Sequence, residues 1–185
     1  MPHPTHQALV DAGLDLAASG SLNHLTVDAI VGKAGVAKGT FYVHFHDRTA
    51  FLVELHRQFH ERLLDAIMTA TADIPPGGQR LRVGLETYLD GCLRERAVKA
   101  LLLEARSEAL IAAEVRRRNA QFAALAQDDF AAIGWPDAEV SAKLFVILGA
   151  EAALMELETG RNEAARRALW RFARLEESSI ETNEQ

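Results

Sequence analysis

The residues best suited to specific chemistry lie in one short segment, TVDAIVGKAGVAKGTFYVHFHDR, at residues 26–48. Its second half carries groups that bind phosphate: the Lys38 ammonium is a point charge, and Thr40 and Tyr42 carry hydroxyls. Gly39 lets a backbone approach a ligand closely. Main-chain N–H groups at a helix start can add further phosphate contacts. The segment therefore predicts a surface that binds the phosphate backbone of a nucleic acid.

Two short helices joined by a tight turn would hold these groups in place. The predicted helices cover residues 27–34 and 38–45, and Gly35 between them permits the positive φ of a sharp turn. The second helix would bury Phe41 and Phe45, which lie four residues apart on one face. This layout is typical of a helix-turn-helix, whose second helix lies in the DNA major groove. We therefore expect double-stranded DNA as a partner.

The overall composition indicates a globular chain. Its net charge does not favour DNA binding, so DNA binding would depend on the local distribution of charge. The chain has 185 residues, 49% hydrophobic content and a net charge of −6. Residues 1–48 carry three Lys or Arg and four Asp or Glu residues, so total charge argues mildly against nucleic acid. No apolar run approaches the roughly 20 residues of a membrane span, and we expect no signal peptide. Cys92, the only cysteine, fits a reducing compartment, so we expect a cytoplasmic protein.

The apolar pattern is helical nearly throughout, which predicts an all-α fold of about nine helices. Besides the two helices above, the predicted ones cover residues 5–19 with Thr5 as N-cap, 48–72 after Asp47, 80–96, 98–105, 107–133, 138–159 after Asp137, and 163–177. We expect a DNA-binding domain at residues 1–48, a connecting helix at 49–72, and a C-terminal ligand-binding and dimerisation domain at 73–185.

The segment resembles the tetracycline-repressor (TetR/AcrR) family of bacterial transcriptional regulators. The matching positions are Thr26, Val27, Ile30, Val31, Ala34, Gly35, Val36, Ala37, Lys38, Gly39, Thr40, Tyr42, Phe45, Arg48, Phe51 and Leu52. Beyond residue 60 only the helical architecture fits. The resemblance implies a sequence-specific DNA-binding regulator, most often a ligand-responsive repressor, which is not an enzyme and needs no cofactor or metal.

The resemblance also implies a role in DNA binding for particular residues. Those expected to contact phosphates are Thr26, Lys38, Thr40, Tyr42 and Arg48. Those expected nearest the bases are Gly39, Val43 and His44. Three positions depart from the family pattern: Ala37 replaces a common serine, Val31 replaces a small alanine, and Val43 stands where a polar residue is frequent. Val43 could contact a thymine methyl group rather than a hydrogen-bonding base edge.

The last two predicted helices indicate dimerisation. Apolar residues line both of them, at Val140, Leu144, Ile147, Leu148, Leu154, Met155, Ala165, Leu169, Phe172 and Ala173. Small residues at 149–153 would allow close helix approach. The pattern is typical of a four-helix bundle shared by two protomers, as the resemblance also implies, although it fits an intramolecular core as well. A homodimer would bring two recognition helices to a palindromic operator.

Polar residues within the apolar C-terminal region are candidates for binding a small-molecule effector. The candidates are Tyr88, Cys92, Glu104, Glu108 and Glu151. Because a buried glutamate is costly unless it is paired, one that lines a cavity could meet a cationic or hydroxylated ligand. The alternative is that these glutamates face solvent or form salt bridges.

Other groups of polar residues predict structure rather than chemistry. His56 and His60 have the spacing of a metal-chelating pair, but two histidines that face solvent or lie between domains are favoured. Residues 116–118, three consecutive arginines, indicate a solvated face paired with Glu114. Cys92 is expected to be a buried, inert thiol. Two other functions stay open: an all-α small-molecule-binding module without DNA binding, and a small helical enzyme.

Overall fold

The computed structural model describes residues 3–19, 22–104 and 109–173, and every regular element within them is a helix. Besides a 3-10 helix at Leu22–His24, these elements are α1 (Pro4–Ser19), α2 (Val27–Ala34), α3 (Lys38–His44), α4 (Arg48–Thr71), α5 (Gly78–Arg94), α6 (Arg96–Glu104), α7 (Ala109–Ala132), α8 (Ala138–Thr159) and α9 (Glu163–Phe172). Among these helices, none is long and apolar enough to cross a membrane.

The predicted all-α class is confirmed, and most predicted helix ends lie within two residues of the observed ones. Two predicted N-caps are wrong. Helix α1 begins at Pro4, before Thr5, because proline suits the first turn of a helix. Asp137 precedes α8 but its side chain makes no capping hydrogen bond, since its backbone is left-handed with a φ of 50°. The last helix ends at Phe172, and the end predicted for it lies outside the described residues.

The first three helices pack around an aromatic cluster formed by Phe41, Phe45 and Phe51. The ring centroids of these three side chains lie 5.0 to 5.4 Å apart, and all three are buried. Helix α1 crosses α4 closely at Gly13, where an added Cβ would lie 2.5 Å from the Phe51 ring. No larger residue fits there without moving that ring, so this crossing holds α1 tightly against the start of α4.

Helix α4 connects the N-terminal helices to the rest of the molecule. The Asp47 carboxylate caps its start by accepting a hydrogen bond from the Ala50 N–H at 2.8 Å, as predicted. Near that end Phe51 and Leu55 contact α1, while Leu63, two turns further on, contacts α5. Helix α6 also packs against α1. Two elements therefore connect the N-terminal helices to the C-terminal ones.

Helices α7 and α8 form a long hairpin, and α4 and α5 pack against them. At the hairpin turn, the Phe130 ring packs on Trp135 and Phe145, with centroid distances of 5.6 and 5.4 Å. At the other end of α8, α9 is attached by a buried ion pair between Arg166 and Glu156. Helices α4 to α8 enclose a cavity between them.

Candidate nucleic-acid interface and internal cavity

The turn between α2 and α3 has the geometry that the sequence predicts. The Thr26 hydroxyl caps α2 by accepting a hydrogen bond from the Ala29 N–H at 3.2 Å. Gly35 ends α2 with a φ of 68°, which glycine adopts without strain. The Val36 N–H then bonds to the Val31 carbonyl at 3.1 Å and closes the turn. The direction of α3 is therefore fixed relative to α2.

The two sides of α3 differ as predicted. Phe41 is fully buried, while Tyr42 and Val43 are 53% and 79% exposed. Gly39 is also exposed, and a Cβ added there would meet nothing within 4 Å. Thr40 and His44 lie at the edges of the exposed side and are half-buried. Helix α3 thus presents an open, accessible surface whose position is set by buried aromatic residues.

Lys38, the first residue of α3, forms an ion pair with Asp28 of α2, with 2.9 Å between Nζ and Oδ1. This hydrogen bond and the carboxylate charge raise the pKa of Lys38 above its ordinary value. Its ammonium is therefore charged at neutral pH and is already held above the α2–α3 junction. A phosphate would have to replace the Asp28 carboxylate as its partner.

Arg48 has a structural contact that the sequence did not reveal. Its Nε donates a hydrogen bond to the Leu25 carbonyl at 2.9 Å, and the side chain is half-buried. The bond ties the start of α4 to the residue that precedes the Thr26 cap. Arg48 therefore helps to position α2, in addition to the phosphate contact predicted for it.

Three histidines meet at the C-terminal end of α3. The His44 ring lies 5.4 Å from the His3 ring and 5.8 Å from the His6 ring, centroid to centroid. Partial desolvation lowers the pKa of His44, and the two neighbouring rings lower it further. His44 is therefore neutral at neutral pH in the free protein and offers hydrogen bonds rather than charge.

The internal cavity has a volume of about 350 Å³. Its wall is largely apolar and is formed by five helices, with Ile67 from α4, Leu85 from α5, Leu102 from α6, Phe122 from α7 and Val146 from α8. This size and character are within the range of small-molecule sites in proteins.

His56 and His60 line the cavity, and the expectation that they face solvent or lie between domains is wrong. Both are buried, and their rings stack with centroids 4.1 Å apart. His60 Nδ1 makes a 2.9 Å hydrogen bond to the His56 carbonyl. Burial lowers the pKa of His60 well below its ordinary value, and the nearby Lys99 ammonium acts in the same direction. The two rings face inward because α5, α6 and α7 pack over this part of α4.

The prediction that all three arginines at 116–118 lie on a solvated face is wrong for Arg118. Arg117 is exposed and binds Glu114, as expected. Arg118 is 2% exposed and lines the cavity. Its Nε lies 3.1 Å from Glu114 Oε1, and one Nη donates to the Arg57 carbonyl of α4 at 3.2 Å. Arg118 therefore joins α7 to α4, and its charge is balanced by Glu114.

Residues 9–55, from α1 to the second turn of α4, match the family described as bacterial regulatory proteins of the tetR family. Over 86 residues the chain is 34% identical to the TetC protein of transposon Tn10 from Escherichia coli. The similarity to this family therefore lies in the N-terminal helices of the chain. The alignment with TetC covers 46% of this chain, and the chain spans less than half the length of the curated relatives it matches.

Solved structures share the fold of this chain along almost its whole length. A transcriptional regulator from Rhodococcus sp. RHA1 superposes with a TM-score of 0.77 at 21% identity, covering 92% of this chain and 94% of its own. The multidrug binding protein EbrR, crystallised with imidazole, has a TM-score of 0.74 at 20% identity and covers 93% and 96%. At these identities the similarity shows a common fold.

The structure does not bring together the five polar residues expected to bind an effector. Tyr88 lines the cavity. Cys92 is buried beside it rather than in its lining, and burial raises the pKa of this thiol, which fits the inert thiol expected. Glu104 and Glu151 are exposed and do not line the cavity, because each lies on the outer side of its helix. Glu108 lies outside the described residues.

The outer side of α8 is exposed and mostly apolar, with Glu151 as a charged residue between Ile147 and Met155. Val140, Leu144, Ile147 and Met155 are between 44% and 54% exposed, and Phe172 of α9 is 56% exposed. The small residues of α8 allow close helix approach within the protomer, which is one of the two arrangements that the sequence pattern fits. Gly149, Ala152 and Ala153 are buried within the protomer, where Gly149 faces Leu85 of α5. The larger apolar residues of α8, rather than the small ones, therefore form its accessible surface.

We searched the described residues for side chains that could together hold a metal ion. Within residues 3–19, 22–104 and 109–173, no three His, Cys, Asp or Glu side chains form a group that could hold a metal ion. The His60 ring packs on Phe122, with a centroid distance of 6.5 Å, and stacks on His56.

Proposed function

We propose that this chain is a tetR-family, sequence-specific DNA-binding transcriptional regulator that acts as a cytoplasmic repressor and has no catalytic activity of its own. The observation that carries the proposal is the exposed side of α3, formed by Lys38, Gly39, Tyr42 and Val43. It projects from a domain in which buried aromatic residues and the Gly35 turn fix the position of α3. Such a helix fits the major groove of B-DNA.

The proposed contacts divide between the phosphate backbone and the bases. Phosphates would be bound by Thr26, Lys38, Thr40, Tyr42 and Arg48, the last through its Nη groups because its Nε bonds to the Leu25 carbonyl. Bases would lie nearest Gly39, Val43 and His44, and Ala37 would also face the DNA but has no hydroxyl to contribute. Since Val43 is the most exposed apolar side chain of α3, contact with thymine methyl groups would contribute to specificity.

We propose that the protein is a homodimer that binds a palindromic operator. The exposed apolar residues of α8 and α9 support a homodimer, because a cluster of large exposed apolar side chains indicates a protein–protein interface. Two-fold symmetry would place two copies of α3 in successive major grooves.

A small-molecule effector in the cavity would control DNA binding. In this proposal, residues 1–48 form the DNA-binding domain, and residues 73–185 form the domain that binds the effector and dimerises. The helix at residues 49–72 connects the two domains. Helices α4 and α6 both line the cavity and both pack against α1, so a ligand that moves either helix would move the DNA-binding domain. EbrR, which shares this fold, is described as a multidrug binding protein.

Selection of bound DNA from a random double-stranded pool tests the proposal directly. We expect enrichment of a palindromic sequence whose half-sites lie one helical turn apart. Affinity for that sequence should fall steeply as salt rises, because Lys and Arg replace counterions on the phosphates. Failure to enrich any sequence at low salt would contradict the proposal.

The second candidate is a small-molecule-binding protein that does not bind DNA. The observation in its favour is that Lys38, the main cation of α3, is already paired with Asp28 in an acidic chain. This candidate predicts ligand binding in the cavity together with no salt-sensitive retention of DNA in a gel-shift measurement.

A further inference from the structure

Three histidine rings meet where the end of α3 lies against the start of α1. The His44 ring lies 5.4 Å from the His3 ring and 5.8 Å from the His6 ring, centroid to centroid. The His6 ring also packs on the buried Phe45 ring at 4.9 Å. Because Phe45 belongs to the aromatic cluster around which the first three helices pack, the start of α1 is held against the end of α3. We call His3, His6 and His44 the histidine cluster.

The histidine cluster lies along one edge of the exposed side of α3. Thr40 and His44 are four residues apart on this helix, so both lie at the same edge. His44 is half-buried there, and His3 of α1 is exposed. When a helix lies in the major groove, its edges face the sugar-phosphate strands that border the groove. The histidine cluster is therefore in a position to meet a phosphate beside α3.

The titratable groups that act on His44 are the other two histidines of the cluster, both from α1. Partial desolvation lowers the pKa of His44, and His3 and His6 lower it further, because a positive charge on one ring disfavours a positive charge on the next. In the free protein His44 is therefore neutral at pH 7, and it can gain a proton when an anion approaches.

Two carboxylates of the adjoining elements already have partners within the protein. Helix α4 contributes Glu54, on which the charge of His6 acts. Its carboxylate accepts hydrogen bonds from Arg57 Nε at 2.7 Å and from Gln58 Nε2 at 3.1 Å. The Asp47 carboxylate, which follows α3, caps the start of α4. A DNA phosphate would be a further anion, and it would approach the cluster from the exposed side.

We propose that the histidine cluster contacts a phosphate of the operator and takes up one proton when the operator binds. This inference rests on the proposed function, and it gives His44 a phosphate contact in addition to its place near the bases. It also adds the first residues of α1 to the proposed DNA interface. One proton is expected rather than three, because charges on rings whose centroids lie 5.4 and 5.8 Å apart repel one another.

Proton uptake makes operator binding stronger at acid pH. The pKa of His44 is low in the free protein, and a bound phosphate would raise it, because the negative charge favours the protonated ring. The gain in affinity is therefore complete below the free-state pKa and is lost as pH rises through the bound-state pKa. Between these two values, one proton changes the affinity by up to about tenfold per pH unit.

Fluorescence anisotropy of the full chain with the selected operator tests the proposal between about pH 8 and pH 6 at fixed salt. We expect the affinity to rise about three- to tenfold as the pH falls over this range. The slope of log affinity against log salt concentration should also be steeper at the lower pH, by up to about one unit, because a protonated histidine displaces a counterion from a phosphate. Circular dichroism at each pH shows whether the chain stays folded.

Histidine-to-glutamine variants assign the effect to the cluster, because glutamine keeps a hydrogen-bonding side chain but does not titrate. His44→Gln should remove both effects, and His3→Gln should reduce them. His3 is chosen over His6 because its ring is exposed, whereas the His6 ring packs on Phe45. His24→Gln is the matched control, since His24 is an exposed histidine outside the cluster, and it should keep the wild-type pH profile.

Several results would overturn the proposal. These are operator affinity that does not change with pH, a wild-type pH profile in His44→Gln, and a wild-type profile in His3→Gln, which would exclude α1 from the contact. A pH effect without any change in the salt slope would also overturn it, because the contact would then not be to a phosphate. Absence of operator binding at every pH, even at low salt, would instead contradict the proposed function itself.

Discussion

Lys38 would serve both the free state of the protein and the proposed DNA-bound state. Its ammonium is held by the Asp28 carboxylate at 2.9 Å, in an exposed position at the start of α3. Exposed ion pairs contribute little to stability, so exchange of this carboxylate for a phosphate oxygen costs little. The pair therefore orients the lysine without preventing its use in DNA binding.

Lys38→Ala should weaken DNA binding by a similar factor for all DNA sequences, because a phosphate contact carries no sequence information. The slope of log affinity against log salt concentration should become less steep by about one unit. Fluorescence anisotropy with the selected operator measures both effects. Lys33→Ala is the matched control, since Lys33 is exposed and paired with Asp15 at 3.5 Å. Equal losses in the two variants would assign the effect to bulk charge.

His60 makes stability depend on pH in a direction fixed by its burial. Burial lowers its pKa in the folded state, whereas the unfolded chain has an ordinary value near 6.5. As pH falls below about 6.5, the unfolded chain binds a proton that the folded chain does not, so the free energy of unfolding decreases. The decrease from this group is at most about 1.4 kcal/mol per pH unit, and it stops below the folded-state pKa.

His60→Gln should therefore flatten the dependence of the melting temperature on pH between about pH 7.5 and 5. The control is His46→Gln, because His46 is exposed. Thermal unfolding followed by circular dichroism gives the comparison. A pH profile that is unchanged in His60→Gln would show that this histidine does not control acid sensitivity.

Among the helices, α9 is held in place by a buried ion pair as well as by apolar contacts. The Arg166 guanidinium of α9 donates two hydrogen bonds to the Glu156 carboxylate of α8, at 2.7 and 2.9 Å. A third nitrogen lies 2.7 Å from Asp90 of α5. Both Arg166 and Glu156 are at most 1% exposed. Three helices thus converge on one guanidinium, which fixes where α9 lies.

Arg166→Met should destabilise the fold by about 3–5 kcal/mol, because it leaves the buried Glu156 carboxylate without its partner. Arg167→Met is the control, since Arg167 is the exposed neighbour on the same helix. Urea unfolding measures the difference. Replacing both members of the pair, as in Arg166→Met with Glu156→Gln, should recover part of the loss. Similar stability of the Arg166 and Arg167 variants would contradict this account.

At the scale of the whole molecule, one protomer leaves an apolar surface on α8 and α9 uncovered. A homodimer formed through these two helices would bury it and would set the spacing of the two copies of α3. Helix α8 lines the cavity, and so do α4 and α6, which both pack against α1. Ligand binding, dimer geometry and DNA binding would therefore be coupled through shared helices.

Leu144→Glu should convert the dimer to a monomer, because it places a charge in the centre of the proposed apolar interface. Leu110→Glu is the control, as Leu110 is an exposed leucine of α7. Sedimentation measures the oligomeric state, and operator binding should fall sharply in the Leu144 variant only. A dimer that persists in Leu144→Glu would place the interface elsewhere.

The sequence by itself determines the features of this protein that depend on near neighbours along the chain. The helices follow from apolar residues three and four apart, and the turn follows from Gly35, because a φ of 68° suits glycine. The exposed side of α3 follows from the burial of Phe41 and Phe45 on the opposite side. These features depend on residues that are close together in the sequence, so a short sequence pattern is enough to predict them.

Which polar residues lie inside the protein depends on how the helices pack together. His56, His60 and Arg118 have the spacing of solvent-exposed helical residues, yet they are buried because other helices pack over their side of the helix. Glu104 and Glu151, which were expected at an effector site, are exposed because none of the other described helices packs over their side of the helix. Burial depends on contacts between residues distant in sequence, and no local pattern encodes them. The chemistry of the cavity therefore depends on the packing of α4 to α8.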